Sequence, residues 1–128
     1  MVRKAADLVA EANARVETLS VEDAKALVGQ DDVQFVDVRD GQELASQGKI
    51  PGAVHASRGL LEFFADPQSP YHKPEFASGK RLVVYCASGG RSALAAKTLK
   101  DMGIGNVANM IGGFNGWKQA DGKIEPSS

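Results

Sequence analysis

The chain is poor in cysteine, with one among its 128 residues. A single cysteine excludes an intrachain disulfide, a Cys-x-x-Cys redox pair and a zinc cluster built on several thiolates. Proteins of oxidising compartments usually carry paired cysteines, so this scarcity favours a reducing environment, and we expect a cytoplasmic protein. Chemistry by one thiol acting alone stays compatible with the sequence.

An excess of charge and long apolar runs are also absent. The 15 Lys and Arg residues oppose 16 Asp and Glu residues, so no positive surplus favours binding to nucleic acid or to anionic membranes. The first 14 residues contain Arg3, Lys4, Asp7 and Glu11, and they therefore lack the uncharged segment of a signal peptide. No apolar run is long enough to span a bilayer. From the balanced charge and the lack of such a run, we expect neither nucleic acid nor a membrane as a partner.

The length of the chain predicts one domain, large enough to bury a core without disulfides or a metal. Helical spacing over residues 4–14 predicts an N-terminal helix, which either lies on the domain or forms a frayed extension. The last residues are polar and typical of a disorder-prone tail. We therefore divide the chain into a helical extension at 1–15, a domain at 16–121 and a tail at 122–128.

Within the domain, predicted strands alternate with predicted helices. Apolar and β-branched runs predict strands at residues 16–19, 33–38, 54–55, 82–85 and 107–110. Helices are predicted between them, and Ser20 is the expected N-cap of the first. This alternation predicts an α/β fold, with a parallel central sheet and helices on both faces. Ligands of such sheets bind beyond the carboxyl ends of the strands.

Cys86 marks the junction between a predicted strand and a helix. The residues that follow are small or polar and open an alanine-rich helical segment: Ala87, Ser88, Gly89, Gly90, Arg91 and Ser92. A glycine-containing loop at a helix start points backbone N–H groups inward and stabilises an anion there. Helix N-termini lower a cysteine pKa to roughly 3.5 to 7.5, so we interpret Cys86 as a nucleophile. The alternative is a small buried hydrophobe at a strand end.

Two glycines and one acidic residue shape this predicted site. Gly89 and Gly90 permit positive φ and a close approach of the backbone to the sulfur. Asp37 stands within the apolar strand 33–38 and approaches the same edge of the sheet as Cys86. We expect Asp37 to shape the site by accepting backbone hydrogen bonds rather than to take part in the chemistry.

Three separated segments of the chain resemble the rhodanese family of sulfurtransferases, in particular its single-domain members. They are Asp37-Val38-Arg39, the segment 48–53 with the sequence GKIPGA, and the loop 86–92 with the sequence CASGGRS. A weaker match is Gly112-Gly113-Phe114 with Trp117. Together the four matches cover about residues 16–120 and leave the N-terminal helix outside.

This resemblance implies a rhodanese-like fold and a thiosulfate sulfurtransferase class of activity. The Cys86 thiolate takes the outer sulfur of an anionic donor such as thiosulfate, becomes a persulfide and passes the sulfur to cyanide or to a thiol acceptor, either a small molecule or a protein. No metal and no organic cofactor is implied. Thiosulfate-using members carry basic side chains where this chain has Ala87 and Ser88, which leaves the preferred donor open.

The substrate-binding residues expected from this reading are the backbone donors of residues 87–92 and two arginines. A cation in the first turn of a helix opposes the helix dipole, so Arg91 either meets the substrate anion or pairs with a carboxylate such as Asp37 or Glu43, and we favour the pairing. Arg39 is then the better candidate to face the incoming anion. Arg58 is a second candidate.

Three other functions compete with sulfur transfer. A cysteine phosphatase or arsenate reductase also holds a thiolate in an anion-binding loop, but the phosphatase signature places five residues between cysteine and arginine, whereas four separate Cys86 from Arg91. A rhodanese-like module can also serve binding or regulation without catalysis, usually when its cysteine is absent. A thiol sensor is the third alternative, and it would need an intermolecular partner for a disulfide.

Overall fold

A five-stranded parallel sheet forms the centre of the computed structural model, which describes residues 1–127. Along the sheet the strand order is β1-β5-β4-β2-β3, and every neighbouring pair is parallel. The strands are β1 (Glu17–Leu19), β2 (Val33–Asp37), β3 (Val54–His55), β4 (Arg81–Tyr85) and β5 (Val107–Met110). The predicted parallel sheet is therefore confirmed.

Within the described residues 1–127, six α-helices and two short 3₁₀ turns surround the sheet. The helices are α1 (Ala5–Arg15), α2 (Val21–Lys25), α3 (Gly41–Gln47), α4 (Leu61–Ala65), α5 (Gly90–Asp101) and α6 (Gly113–Gln119), and the 3₁₀ turns are Arg58–Leu60 and Pro74–Ala77. One core cluster packs α4 and α5 against the sheet, and a second packs α2 and α6 against the opposite face. The prediction of helices on both faces is confirmed.

Local sequence signals explain where several helices begin and end. The Ser20 side chain accepts a hydrogen bond from the Asp23 backbone N–H at 3.0 Å, as expected of an N-cap. Asp40 and Glu43 form a capping box at the start of α3. After α5, Gly103 adopts a φ of +99°, a left-handed conformation that glycine adopts without a steric penalty.

The N-terminal helix packs on the domain rather than fraying from it. Ala12 is fully buried, and Lys100 of α5 donates to the backbone carbonyl of Arg15 at 2.7 Å. Asn13, on the same helix, reaches Asn109 in β5, as described below. Among the described residues, no helix combines the length and the apolar character needed to cross a membrane.

The polar segment after α6 is attached to the domain as far as Glu125. Trp117 Nε1 donates to the Lys123 carbonyl at 2.8 Å, and the backbones of Lys49 and Glu125 exchange two hydrogen bonds of 2.9 Å. Part of the segment that the sequence analysis assigned to a polar tail therefore has hydrogen-bond partners in the domain. Ser128 lies outside the described residues.

Candidate active site

The loop 86–92 lies at the centre of the carboxyl edge of the sheet. β4 ends at Tyr85, α5 begins at Gly90, and the loop connects them. In the sheet register Tyr85 is paired with Asp37, so the ends of β4 and β2 meet at the same edge. Ligands of open parallel sheets bind at this edge, as the sequence predicted for Cys86.

The thiol of Cys86 points into the loop and accepts hydrogen bonds from it. Only 1% of the residue is exposed, yet Gly89 N–H donates to Sγ at 3.1 Å and the Ser92 hydroxyl lies 3.4 Å from Sγ. Burial raises the pKa of Cys86, but the Ser92 hydroxyl and three loop amides lower it by more, so the pKa lies below its ordinary value. The three amides belong to Ser92, Gly89 and Ser88.

The start of α6 binds two carbonyls of the loop and thereby fixes the direction of two of its amides. Phe114 N–H donates to the Cys86 carbonyl at 2.7 Å, and Asn115 N–H donates to the Ala87 carbonyl at 3.0 Å. In a trans peptide the N–H points opposite to the C=O. Because both carbonyls are bound on the α6 side, the amides of Ala87 and Ser88 face the loop interior.

Gly113 is required for this close approach of α6 to the loop. Its φ is +59°, and a Cβ at this position would lie 2.5 Å from the Ala87 carbonyl oxygen and 2.6 Å from that of Cys86. A side chain here would displace the backbone that orients the amides. The sequence analysis named Gly113 only within the weaker match Gly112-Gly113-Phe114 and did not reveal this role.

The two glycines of the loop differ in conformation. Gly89 has a φ of +112°, as expected from its predicted role. Gly90 instead begins α5 without a positive φ, so of the two glycines that permit left-handed backbone only Gly89 adopts it. At Gly90 a Cβ would lie 3.8 Å from Val9 of α1, so the N-terminal helix covers this end of the loop.

Arg91 pairs with a carboxylate, the alternative that the sequence analysis favoured. Its guanidinium binds Glu43 through two hydrogen bonds of 2.7 and 3.0 Å. The bond to Glu43 raises the pKa of Arg91, and the bond to Arg91 lowers the pKa of Glu43. About a third of each side chain stays exposed, 38% for Arg91 and 27% for Glu43, so the pair lies at the surface near the loop.

Arg39 does not face an incoming anion, which corrects its expected role. The side chain is 1% exposed and binds Asp37, which is fully buried, with Nη2 to Oδ2 at 2.8 Å. The same Nη2 donates to the Gly48 carbonyl at 2.7 Å, and the guanidinium lies 4.1 Å from the centroid of the Phe114 ring. A cation enclosed in this way is a structural element. Asp37 also accepts the Arg39 backbone N–H at 3.0 Å, in line with its expected site-shaping role.

Arg58 is directed away from Cys86. Its guanidinium binds Glu62 and, at 3.2 Å, the Thr98 hydroxyl on α5. Thr98 lies eight residues after the first residue of α5, about 12 Å along the helix at 1.5 Å per residue. The structure therefore does not place Arg58 with the loop, and its expected role as an anion ligand is not supported.

Two polar residues that the sequence analysis did not select complete the surroundings of the loop. Asn109 of β5 is fully buried and binds the Ser92 hydroxyl at 2.6 Å, and Asn13 of α1 binds Asn109 at 2.9 Å. A polar residue inside the apolar strand 107–110 was a usable signal for Asn109. Within residues 1–127, no three His, Cys, Asp or Glu side chains converge as a metal site would require.

Comparison with known proteins identifies the family of the chain. Residues 20–120 match the family model of the rhodanese-like domain, which is most of the chain. The chain belongs to the rhodanese family. The thiosulfate sulfurtransferase GlpE of Shewanella oneidensis is 33% identical over 103 residues, which cover 80% of this chain and 93% of that protein.

Two solved structures extend the likeness to the whole rhodanese fold. The polysulfide-sulfur transferase homodimer of Wolinella succinogenes is 32% identical, with a TM-score of 0.71 over 95% of this chain and 87% of that one. A protein of unknown function from Rhodopseudomonas palustris, described as a possible tyrosine phosphatase, is 51% identical, with a TM-score of 0.93 over 98% of this chain and 96% of that one. The alignment with the Rhodopseudomonas palustris structure also extends over residues before residue 20, where the match to the family model begins.

Proposed function

We propose that this rhodanese-family protein is a sulfurtransferase that carries a sulfane sulfur as a persulfide on Cys86. The observation that carries the proposal is the contact between the Gly89 amide and Cys86 Sγ at 3.1 Å, in a loop whose Ser88 and Ser92 amides also favour a charged sulfur. An array of fixed N–H donors stabilises a thiolate and the anionic persulfide formed from it, without reorganisation. Neither a metal nor an organic cofactor is needed for these steps.

The reaction has two displacement steps. The Cys86 thiolate attacks the outer sulfur of a donor such as thiosulfate, a new S–S bond forms, and sulfite leaves with the electron pair of the broken bond. The product is a Cys86 persulfide, whose terminal sulfur is anionic. An acceptor thiolate then attacks this terminal sulfur, and the electron pair of the broken S–S bond returns to Cys86 as a thiolate. With cyanide as acceptor the product is thiocyanate.

The shape of the loop favours a slender donor. Because only 1% of Cys86 is exposed, a reacting group has to enter the loop through a single terminal atom, and the outer sulfur of a thiosulfate or polysulfide chain meets that requirement. The loop residues Ala87 and Ser88 contribute no charge, and the Arg91 guanidinium is occupied by Glu43. We therefore propose small anionic sulfane donors as a class, with no preference for thiosulfate over a polysulfide.

The same features disfavour phosphatase chemistry. A phosphoryl group needs a loop wide enough for several oxygens and an arginine directed at them, whereas the arginine of this loop binds Glu43 in a bidentate pair. The burial of the thiol also excludes a bulky tetrahedral group from the loop as it stands. We therefore expect hydrolysis of an aryl phosphate only at the level of a Cys86→Ser variant.

Mass spectrometry of the intact protein tests the proposed function. After incubation with thiosulfate or polysulfide, we expect the mass to increase by one sulfur atom, and later addition of cyanide to remove that mass and release thiocyanate. Cys86→Ser, which keeps the size and the hydrogen bonding of the side chain, should gain no sulfur. Absence of the adduct with every donor tried, or an equal adduct on Cys86→Ser, would overturn the proposal in favour of a binding module.

A further inference from the structure

A line of polar contacts, buried at its Cys86 end, connects the N-terminal helix with the sulfur of Cys86. Asn13 of α1 binds Asn109 of β5, Asn109 binds the hydroxyl of Ser92, and this hydroxyl lies 3.4 Å from Cys86 Sγ. Asn109 and Ser92 are fully buried, whereas Asn13 is half-buried, so the contact between Asn109 and Ser92 is shielded from bulk water. Asn13 lies before residue 20, where the match to the rhodanese-like domain begins.

Asn109 and the sulfur of Cys86 are alternative acceptors for the single hydroxyl hydrogen of Ser92. A serine hydroxyl has one hydrogen, so it donates to one acceptor at a time. The Ser92 oxygen lies 2.6 Å from Asn109 Oδ1 and 3.4 Å from Sγ, which places the hydrogen on the Asn109 side. The hydroxyl can then donate to a thiolate only after leaving Asn109.

The orientation of the Asn109 amide is fixed by its other contacts. Asn109 Nδ2 lies 3.3 Å from the Gly89 carbonyl oxygen and 2.9 Å from Asn13 Oδ1. A backbone carbonyl only accepts hydrogen bonds, so the atom facing Gly89 is the nitrogen. The oxygen of the amide consequently faces Ser92. If the amide were reversed, its nitrogen would donate to the Ser92 oxygen and leave the hydroxyl hydrogen free for the sulfur.

We propose that Asn109 is a positioning residue that competes with Cys86 for the single hydroxyl hydrogen of Ser92, and that Asn13 holds the Asn109 amide in the competing orientation. The N-terminal helix thereby influences how easily the Cys86 thiol ionises. In the thiol form the hydrogen of Ser92 rests on Asn109. In the thiolate form it turns to the sulfur, and the amide oxygen of Asn109 loses its donor.

Charged groups around these contacts do not take part in the competition. On the loop side Arg91 is paired with Glu43, and along α1 the residues Glu11 and Arg15 flank Asn13 on the exposed surface. The buried pair of Asp37 and Arg39 packs against Phe114, within the core on the other face of the sheet. The variants used below leave all of these charges unchanged.

The pH dependence of Cys86 alkylation by iodoacetamide tests the inference, since the chain has one cysteine. Asn109→Leu should lower the midpoint by roughly half a unit to one unit, which is a three- to tenfold larger thiolate fraction below the midpoint. Ser92→Ala should raise the midpoint, and in the Ser92→Ala background Asn109→Leu should have no further effect. Asn106→Ala, at an exposed asparagine three residues away, is the matched control and should give the wild-type curve.

Asn13→Ala tests the role of α1 in a variant that leaves the core unchanged. It should lower the midpoint in the same direction as Asn109→Leu but by less, because the Gly89 carbonyl still holds the amide, and the shift should vanish in Ser92→Ala. If Asn109→Leu does not fold, Asn13→Ala with and without Ser92→Ala decides the question. A wild-type curve for Asn13→Ala overturns the part assigned to α1. An unchanged or raised midpoint for Asn109→Leu, or an equal shift in the absence of the Ser92 hydroxyl, overturns the competition.

The inference rests on Cys86 being the reactive thiol of the proposed function, but its test does not require sulfur transfer. If the alkylation midpoints shift as stated and no sulfane donor loads the protein, the proposed function fails while the competition for the hydrogen stands. If sulfur is loaded and the alkylation midpoints do not shift, the proposed function stands and the competition for the hydrogen fails.

Discussion

Two arginine–carboxylate pairs lie close to the carboxyl edge of the sheet and differ mainly in their exposure to water. In the Asp37–Arg39 pair the side chains are 0% and 1% exposed, whereas in the Glu43–Arg91 pair they are 27% and 38% exposed. The distances are nearly equal, 2.8 Å in the first pair and 2.7 Å in the second. Pairs of similar geometry therefore have different roles. The buried pair supports the fold next to the site, and in the exposed pair Glu43 holds the Arg91 guanidinium beside the loop.

The physical reason for the difference is the cost of leaving a charge without its partner. A buried ion that loses its partner keeps its desolvation penalty, and removing one member typically costs about 3–5 kcal/mol of stability. An exposed ion regains water when its partner is removed, so such pairs contribute about 0–1 kcal/mol. The buried pair should therefore be intolerant of single substitutions, and the exposed pair should tolerate them and change the handling of substrate.

Arg39→Met should produce the largest effect. It leaves the Asp37 carboxylate fully buried without its cation, and we expect a loss of about 3–5 kcal/mol in the free energy of unfolding, measured by urea denaturation. The double variant Asp37→Asn/Arg39→Met removes both charges and should lose less than Arg39→Met. If Arg39→Met were as stable as the wild type, the buried pair would contribute no more to stability than the exposed pair.

The role of Arg39 was not predicted, because the direction of its side chain depends on the folded chain. The strand that ends at Asp37 and the glycine loop after Cys86 were predictable, because apolar runs and glycines act through local conformation. Arg39 lies in the bend two residues after β2 ends at Asp37, where strand periodicity no longer fixes the direction of a side chain. The expectation that Arg39 met the substrate rested on its position after a strand end, whereas the folded bend returns its guanidinium to Asp37.

Long-range partners were beyond the reach of sequence patterns. Asn13 and Asn109 are 96 residues apart, and no local signal relates a helix surface to a buried strand position at that distance. The role of Gly113 likewise depends on the backbone of the Cys86 loop, which comes near it only in the folded chain. The sequence analysis named Asp37 and Glu43 as examples of a carboxylate partner for Arg91, and the packing of α3 beside the loop selects Glu43.

Glu43→Gln should have a moderate effect and should act on the substrate rather than on the fold. The neutral side chain releases the Arg91 guanidinium for an anion, so we expect the KM for thiosulfate to fall roughly threefold, with stability changed by less than about 1 kcal/mol. Steady-state kinetics with cyanide as acceptor measures the first value and urea denaturation the second. Glu62→Gln, which releases Arg58 beside Thr98 of α5, is the matched control and should leave KM unchanged. An unchanged KM in Glu43→Gln would mean that Arg91 does not reach the donor.

The smallest expected effect is the pH dependence that the exposed pair adds to stability. The pKa of Glu43 is lowered by its bond to Arg91 from an ordinary value of 4.5, so its carboxylate is more easily ionised in the folded chain than in the unfolded one. The sign follows from linkage: the pair contributes fully above the ordinary pKa, and its contribution disappears as the pH falls through the lowered pKa. Urea denaturation of the wild type and Glu43→Gln over this acidic range should show two curves that converge as the pH falls, by less than about 1 kcal/mol in total because the side chains are partly exposed. Curves that stay parallel would show that the pair contributes nothing to folding, and the contrast with Asp37 and Arg39 would then be one between a structural pair and a purely functional one.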